Sequence, residues 1–284
     1  MTSQAQISTR AMQAAIWVAR QLGIDCIDPI VLHHSEHVGI RLFPSHVVAR
    51  VLGVERPGAG QQLRRELAIA RHLVQRAAPV VGPTTEFPAG PYFHNGCGLT
   101  LWQFVEHVAA DFDDREHVAS AAKALRRVHE TLVNFSDELP SFMIKINECH
   151  TLLEDESALP ALSVADRTFL LAVYRRVIAA LDAPPLELTP IHGDAGAHNV
   201  FITSQGARYS DFENVSLGPR EWDIGFLSPH IDLTAFEPLN REVLSALSDL
   251  RSVCVSVWCW AKHDVPEKRE AAEYHLGYLK ERFA

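Results

Sequence analysis

The chain has 284 residues, 47% of them hydrophobic and 21% charged, enough apolar material for one large domain or two lobes. A formal net charge of -9 and the lack of any basic tract speak against a nucleic-acid partner. Five scattered cysteines (Cys26, Cys97, Cys149, Cys254, Cys259) without a C-x-x-C pair read as reduced thiols of a cytoplasmic protein.

The first 23 residues lack the long apolar core of a secretion signal, and Arg10 and Arg20 bracket a modest apolar stretch. They read as an amphipathic helix ended by Gly23, and no apolar run of roughly 18 residues predicts a membrane span. Short β-branched pieces follow at 30–32, 38–42 and 47–54, separated by turns such as Phe43-Pro44-Ser45. Gly58 and Gly60 break that pattern, and a helical period begins near Gln61 with Leu63, Leu67, Ala70 and Leu73. After a proline-rich turn at 79–83, strand pieces are expected at 85–87 and 99–105.

From there the pattern becomes helical, at 115–133, 141–153, 165–181 and 242–262. Asp111, Asp113 and Asp114 stand before the first of these, where carboxylates favour a helix N-terminus. Between the last two lies a loop-rich block, 190–225, with strand candidates at 199–202 and 207–209. The expected class is α+β: a sheet-rich lobe over residues 1–105 and a helical lobe over 106–284, with ligand bound in a cleft between them.

The chemistry concentrates in Ile191-His192-Gly193-Asp194-Ala195-Gly196-Ala197-His198-Asn199-Val200, followed by Tyr209-Ser210-Asp211-Phe212-Glu213. Asp194 and Asn199 are separated by a loop of small residues; Asn199 opens one expected strand and Asp211 follows the next. A hairpin would bring one amide oxygen and two carboxylates to one mouth. Such oxygens suit Mg²⁺, which binds through one or two carboxylates plus substrate phosphates. A carboxylate not spent on metal can accept the proton of an attacking hydroxyl, as phosphoryl transfer requires. The alternative reading is a pair of ordinary turn aspartates.

H-G-D-x-x-x-x-N, then D-F-E, then Gly218-Pro219-Arg220-Glu221-Trp222-Asp223 in order resembles the aminoglycoside phosphotransferase family, relatives of the protein kinases. The resemblance implies a bilobal protein-kinase-like fold and an NTP-dependent small-molecule kinase with ATP or GTP as donor. It makes Asp194 the catalytic base, Asn199 and Asp211 the Mg²⁺ ligands, and His192 and Asp223 braces of the loop. Kinases also carry a lysine on the third strand paired to a helical glutamate. No lysine precedes Lys123, so Arg50 is the expected phosphate grip and Glu66 its partner. Arg50 as a solvent-facing strand residue is the alternative.

A glycine-rich loop is absent, and Ser35-Glu36-His37 is the expected turn over the phosphates. Leu101-Trp102-Gln103-Phe104-Val105-Glu106 resembles the strand joining the lobes, implying base recognition by the carbonyl of Gln103 and the amide of Val105. Trp102 and Phe104 read equally as core aromatics. His33, His34 and His37 lack acidic or cysteine companions at zinc spacing, and no G-x-S-x-G occurs. Glu267, Glu270 and Glu273 read as a solvated face or as contacts to a cationic acceptor.

The acidic balance fits a polycationic acceptor such as an aminoglycoside or basic peptide antibiotic. A homoserine-, choline- or sugar-like acceptor, and a degenerate nucleotide-binding relative, are the alternatives. A metal-dependent hydrolase would need further ligands than His192, Asp194 and Asp211.

Overall fold

The computed structural model describes residues 4–34, 37–52, 58–182, 185–227 and 231–283, without the side chains of residues 4–7. Helix α1 (Gln4–Leu22) is followed by β1 (Cys26–His34), β2 (His37–Pro44) and β3 (Val47–Leu52). Gly23, at φ 67, ends α1, because only glycine takes this left-handed turn without cost. Next come α2 (Ala59–Gln75), β4 (Tyr92–His94), β5 (Cys97–Gln103) and β6 (Val108–Ala109). Then α3 (Arg115–Leu132) begins where Asp114 Oδ1 accepts the Glu116 amide at 2.8 Å, an N-terminal cap as expected from the acidic run.

Helices α4 (Met143–Glu154) and α5 (Val164–Leu181) lead to β7 (Thr189–Ile191). A 3-10 turn, Ala197–Asn199, opens the hairpin of β8 (Val200–Thr203) and β9 (Gly206–Tyr209). The chain finishes with β10 (Ser216–Gly218), the short α6 (Arg220–Ile224), a 3-10 turn Leu233–Phe236, α7 (Arg241–Trp260) and α8 (Pro266–Phe283).

Two compact units share the chain. The first comprises residues 1–111, 123–135 and 197–213, the second 112–122, 136–196 and 214–284. The sequence-based division after residue 105 falls inside the first segment of the first unit.

In the first unit, five antiparallel strands lie in the order β1-β2-β3-β5-β4. Strand alternation separates two faces. Val38, Ile40, Leu42, Val47, Ala49, Val51, Leu99 and Leu101 are buried with Ala11, Ala14, Ala15 and Val18 of α1. The register puts His37 beside Leu52, Arg50 between Gly39 and Thr100, and Val48 between Arg41 and Trp102, on the opposite face. A buried arginine facing away from the apolar layer must find its own partners, and these define the site.

In the second unit α4, α5, α7 and α8 enclose a core of Ile146, Leu170, Val173, Leu250, Val253, Val257, Leu276 and Leu279. By length and composition α7 could cross a membrane, yet its Leu247, Leu250, Val253, Cys254 and Val257 are spent on this core.

Three local expectations are corrected. Residues 85–87 form a bend, not a strand: Pro83 and Pro88 lack amide donors, so the segment meets β5 only at isolated points such as Thr84 N to Leu101 O, 3.1 Å. Asn199 closes a 3-10 turn instead of opening a strand. The strand β4 and the helix α8 are additional elements; α8 carries polar residues around most of its circumference, which hides its helical period.

Candidate functional site

On the first unit's polar sheet face, Arg50 lies among three carboxylates. Its Nη1 donates to Glu66 Oε1, its Nη2 donates to Asp211 Oδ1 at 2.6 Å, and Glu213 Oε2 stands 3.8 Å away. Glu66 arrives on the buried side of α2, amid Leu63, Leu67 and Ala70. Glu213 is held by Gln62 Nε2 at 2.6 Å and His37 Nε2 at 2.8 Å, and its carbonyl accepts from Arg65 Nη2 at 3.4 Å. Burial alone would lower Arg50, but Glu66, then Asp211 and Glu213, outweigh it and hold the guanidinium above its ordinary value. Burial raises the Glu66 carboxyl, Asp211 and Glu213 add to the rise, and Arg50 opposes it.

The β8–β9 hairpin delivers Asp211. Residues 79–81 fasten it, with Val81 N donating to Tyr209 O at 2.8 Å and Tyr209 N to Pro79 O at 3.0 Å. The Asn199 carbonyl accepts from Ser210 N at 2.9 Å and Ser210 Oγ at 3.2 Å, so Asn199 and Asp211 sit at one end of the hairpin. Asp211 has φ 65, a left-handed conformation that costs an aspartate on the order of 1 kcal/mol. The fully buried Phe212 and the bond from Arg50 hold it there.

Among the described residues no three His, Cys, Asp or Glu side chains converge on one metal position. Asn199 and Asp211 together offer an amide oxygen and a carboxylate. That number suits Mg²⁺, which keeps several waters and takes phosphate oxygens. Three carboxylates around one guanidinium leave an excess of negative charge, and Glu66 Oε2 is buried without a hydrogen-bond partner. The residues present therefore fit a divalent cation.

The second unit holds Asp194. His192 N and Gly193 N donate to the two oxygens of Asp223, at 2.6 and 2.8 Å, and Trp222 Nε1 donates to Gly193 O at 3.0 Å. His192 and Asp223 are fully buried. Asp194 N donates to His192 Nδ1 at 3.3 Å, which fixes Nδ1 as the unprotonated ring nitrogen. Gly193 has φ 83, and a Cβ there would stand 2.1 Å from the Asn214 carbonyl oxygen. The loop is thus clamped at the two residues ahead of Asp194, whose own side chain is half-buried.

Of the expected site residues, Arg50, Glu66, Asp211 and Asn199 are gathered within the first unit, and His192, Asp194 and Asp223 within the second. Gln103 N donates to Gly82 O at 3.0 Å, and the Val105 carbonyl accepts from His107 Nδ1 at 2.7 Å. The Val105 amide has no partner among the described residues. Ser35 and Glu36, expected over the phosphates, lie outside the described residues. Sequence assigns no role to Glu213 or Gln62, and it places His37 in the expected turn over the phosphates, with no link to Glu213. Glu213 sits two residues past Asp211 and was open to notice; the contacts of Gln62 and His37 to it leave no mark, since they depend on the approach of distant segments.

Residues 45–256 match the model of the phosphotransferase enzyme family, APH. No curated protein sequence matches the chain. Among solved structures, amicoumacin kinase hAmiN in complex with AMP-PNP, Ca²⁺ and Ami is 12% identical, with a TM-score of 0.72 over 99% of this chain and 97% of that one. The GDP and kanamycin complex of APH(2")-IIia is 13% identical at a TM-score of 0.70, covering 95% of this chain and 98% of that one. Choline kinase LicA from Streptococcus pneumoniae is 14% identical at a TM-score of 0.68, covering 95% and 99%. At these identities the likeness establishes a common fold. The family match covers most of the chain, and the protein belongs to the phosphotransferase enzyme family, with an α+β, protein-kinase-like fold.

Proposed function

We propose that this protein is an NTP-dependent small-molecule kinase that moves the γ-phosphoryl group of ATP or GTP to a hydroxyl of its acceptor. One observation carries the reading furthest: Arg50, the expected phosphate grip, is paired to Glu66 and to Asp211. That pairing answers the missing lysine with a cation of fixed charge and forked donors.

In the proposed division of labour, residues 1–105 serve the nucleotide and residues 106–284 carry the catalytic loop and the acceptor. Arg50 grips donor phosphates and Glu66 orients it. The free Val105 amide, with the Gln103 carbonyl, reads the base edge. Asn199 and Asp211 would hold Mg²⁺, which when bound supplies neutralisation of phosphate charge. Asp194 accepts a hydrogen bond from the acceptor hydroxyl and takes its proton as the new oxygen–phosphorus bond forms and the bond to the β-phosphate oxygen breaks. His192, Gly193 and Asp223 act through the loop, keeping that carboxylate oriented. Positioning of this kind supplies much of the rate in phosphoryl transfer.

A coupled ADP- or GDP-release screen over antibiotics and hydroxylated metabolites tests the reading. Acceptor-dependent release is expected, and Asp194→Ala should lower kcat by several orders of magnitude with nucleotide affinity nearly unchanged. Full turnover in that variant would reassign the base.

A further inference from the structure

The second unit contains a cation that the mechanism above does not use. Arg251, on α7, has a buried Nη1 without a hydrogen-bond partner, and among the described residues Arg251 makes no ion pair. The Phe226 ring lies 4.8 Å from its Cζ. The nearest carboxylate on the same helix, Asp249, is already occupied: Arg282 Nε donates to it at 2.9 and 3.1 Å, and Tyr278 Oη donates at 3.2 Å. Arg282 thus takes that carboxylate, and among the described residues Arg251 has no counter-charge, in a chain whose net charge is -9. Arg251 is half-buried, and enclosing one of its guanidinium nitrogens without an acceptor carries a cost in lost hydrogen bonding.

The neighbours of Arg251 do not relieve it. His275 on α8 also has a buried, partnerless Nδ1. Burial first, and then the Arg251 charge, hold His275 down to about 4, so at neutral pH it stays an uncharged imidazole beside the guanidinium. Gly225 makes room for the arrangement, since a Cβ there would stand 2.6 Å from Arg251 Nη1 and 3.1 Å from Ser248 Oγ. Gly225 and Phe226 lie two and three residues past Asp223, the carboxylate that clamps the Asp194 loop. The unpaired cation therefore rests on the segment that orders the proposed base.

We propose that Arg251, backed by Phe226 and His275, is an anion-binding site for a carboxylate or phosphate group carried by the acceptor. The inference rests on the phosphotransferase reading for the identity of the ligand, though not for the binding of an anion. It turns the expected acceptor away from a polycation and toward a hydroxy acid or a phosphorylated alcohol. A guanidinium fork is matched to both groups, which it can grip with two parallel charge-assisted bonds. The neutral His275 can donate or accept one more.

The test has two arms on the full chain. First, thermal unfolding is followed against inorganic phosphate, with chloride at matched ionic strength, for wild type, Arg251→Gln and Arg251→Lys. Phosphate should stabilise wild type beyond chloride. Its affinity should fall on the order of tenfold or more in Arg251→Gln, and Arg251→Lys, which keeps the charge without the fork, should retain part of it. Equal phosphate dependence in all three overturns the proposal. Arg251→Gln is expected to fold, because it removes the uncompensated charge; if it does not, the comparison of wild type with Arg251→Lys still reads the effect.

In the second arm, nucleotide-dependent turnover is measured with hydroxy acids and their amides, beginning with glycerate and glyceramide. Arg251→Gln should raise KM for the acid roughly tenfold or more while leaving KM for nucleotide and turnover of the amide unchanged. Turnover confined to cationic acceptors, with the same KM in wild type and variant, would overturn the acceptor assignment. Phosphate binding lost in Arg251→Gln, with no acceptor turned over by wild type, would keep the anion site and sink the kinase reading instead.

Discussion

Replacing Arg50 by methionine tests the polar face of the first unit most directly. The substitution keeps much of the side chain's volume and removes one positive charge from among Glu66, Asp211 and Glu213. Removing one partner of a buried ion pair costs about 3–5 kcal/mol, because the carboxylate left behind cannot reach water. Glu66 is 1% exposed and takes the full penalty, whereas the Asp211 side chain is 26% exposed and recovers some hydration. A loss near the lower end, about 3 kcal/mol at pH 7, is therefore expected.

The sign of the pH dependence follows from the same charges. Without Arg50 the folded carboxylates bind protons more readily than in the unfolded chain, so the deficit should shrink as pH falls toward 5. Urea unfolding of wild type, Arg50→Met, Glu66→Gln and the double variant, at pH 5 and 7, supplies the comparison. Neutralising Glu66 as well should recover a large part of the loss, since the two residues are coupled and their costs do not add. In the same variant, KM for nucleotide should rise. A deficit below about 1 kcal/mol that does not change with pH, together with an unchanged KM, would refute the reasoning and return Arg50 to a scaffold role.

Gly193→Ala forces a left-handed φ and a 2.1 Å approach to a carbonyl oxygen, so it should destabilise by at least about 2 kcal/mol and lower turnover, whereas Gly277→Ala in α8, with open space around it, should gain about 0.5–1 kcal/mol; calorimetry of both separates backbone demand from general intolerance of change. For His275, held down to about 4 against an ordinary 6.5, the neutral ring is the one the fold accepts, so stability is full above 6.5 and falls as pH drops toward 4, by at most about 3 kcal/mol; His275→Gln should flatten that slope in urea unfolding from pH 7 to 4.5, and an unaltered slope would assign it to another group.

Much of this molecule is readable along the chain because it depends on local order. The apolar alternation of β2 and β3, the helical period of α2 and the glycine ending α1 are short-range patterns, and each becomes the element it announces. Asp194, Asn199 and Asp211 stand out for the same reason: they sit at fixed offsets in motifs whose order survives without coordinates. Elements that lean on partners are harder to read. Residues 85–87 look like a strand until the two flanking prolines remove their donors, and α8 shows no clear stripe because only Ala272, Leu276 and Leu279 are buried.

Sequence by itself determined the family, and it singled out the loop proposed to carry the chemistry and the candidacy of Arg50, since these rest on residue types and spacing. Only the tertiary structure decided that Arg50 answers to three carboxylates, one of them Glu213, and that Asp223 clamps both amides ahead of Asp194. It alone left Arg251 without a counter-charge among the described residues, because Asp249 meets Arg282, 33 residues further on. Which charge finds which partner depends on through-space distances of a few ångströms between segments far apart in the chain, and no local pattern of residues encodes them.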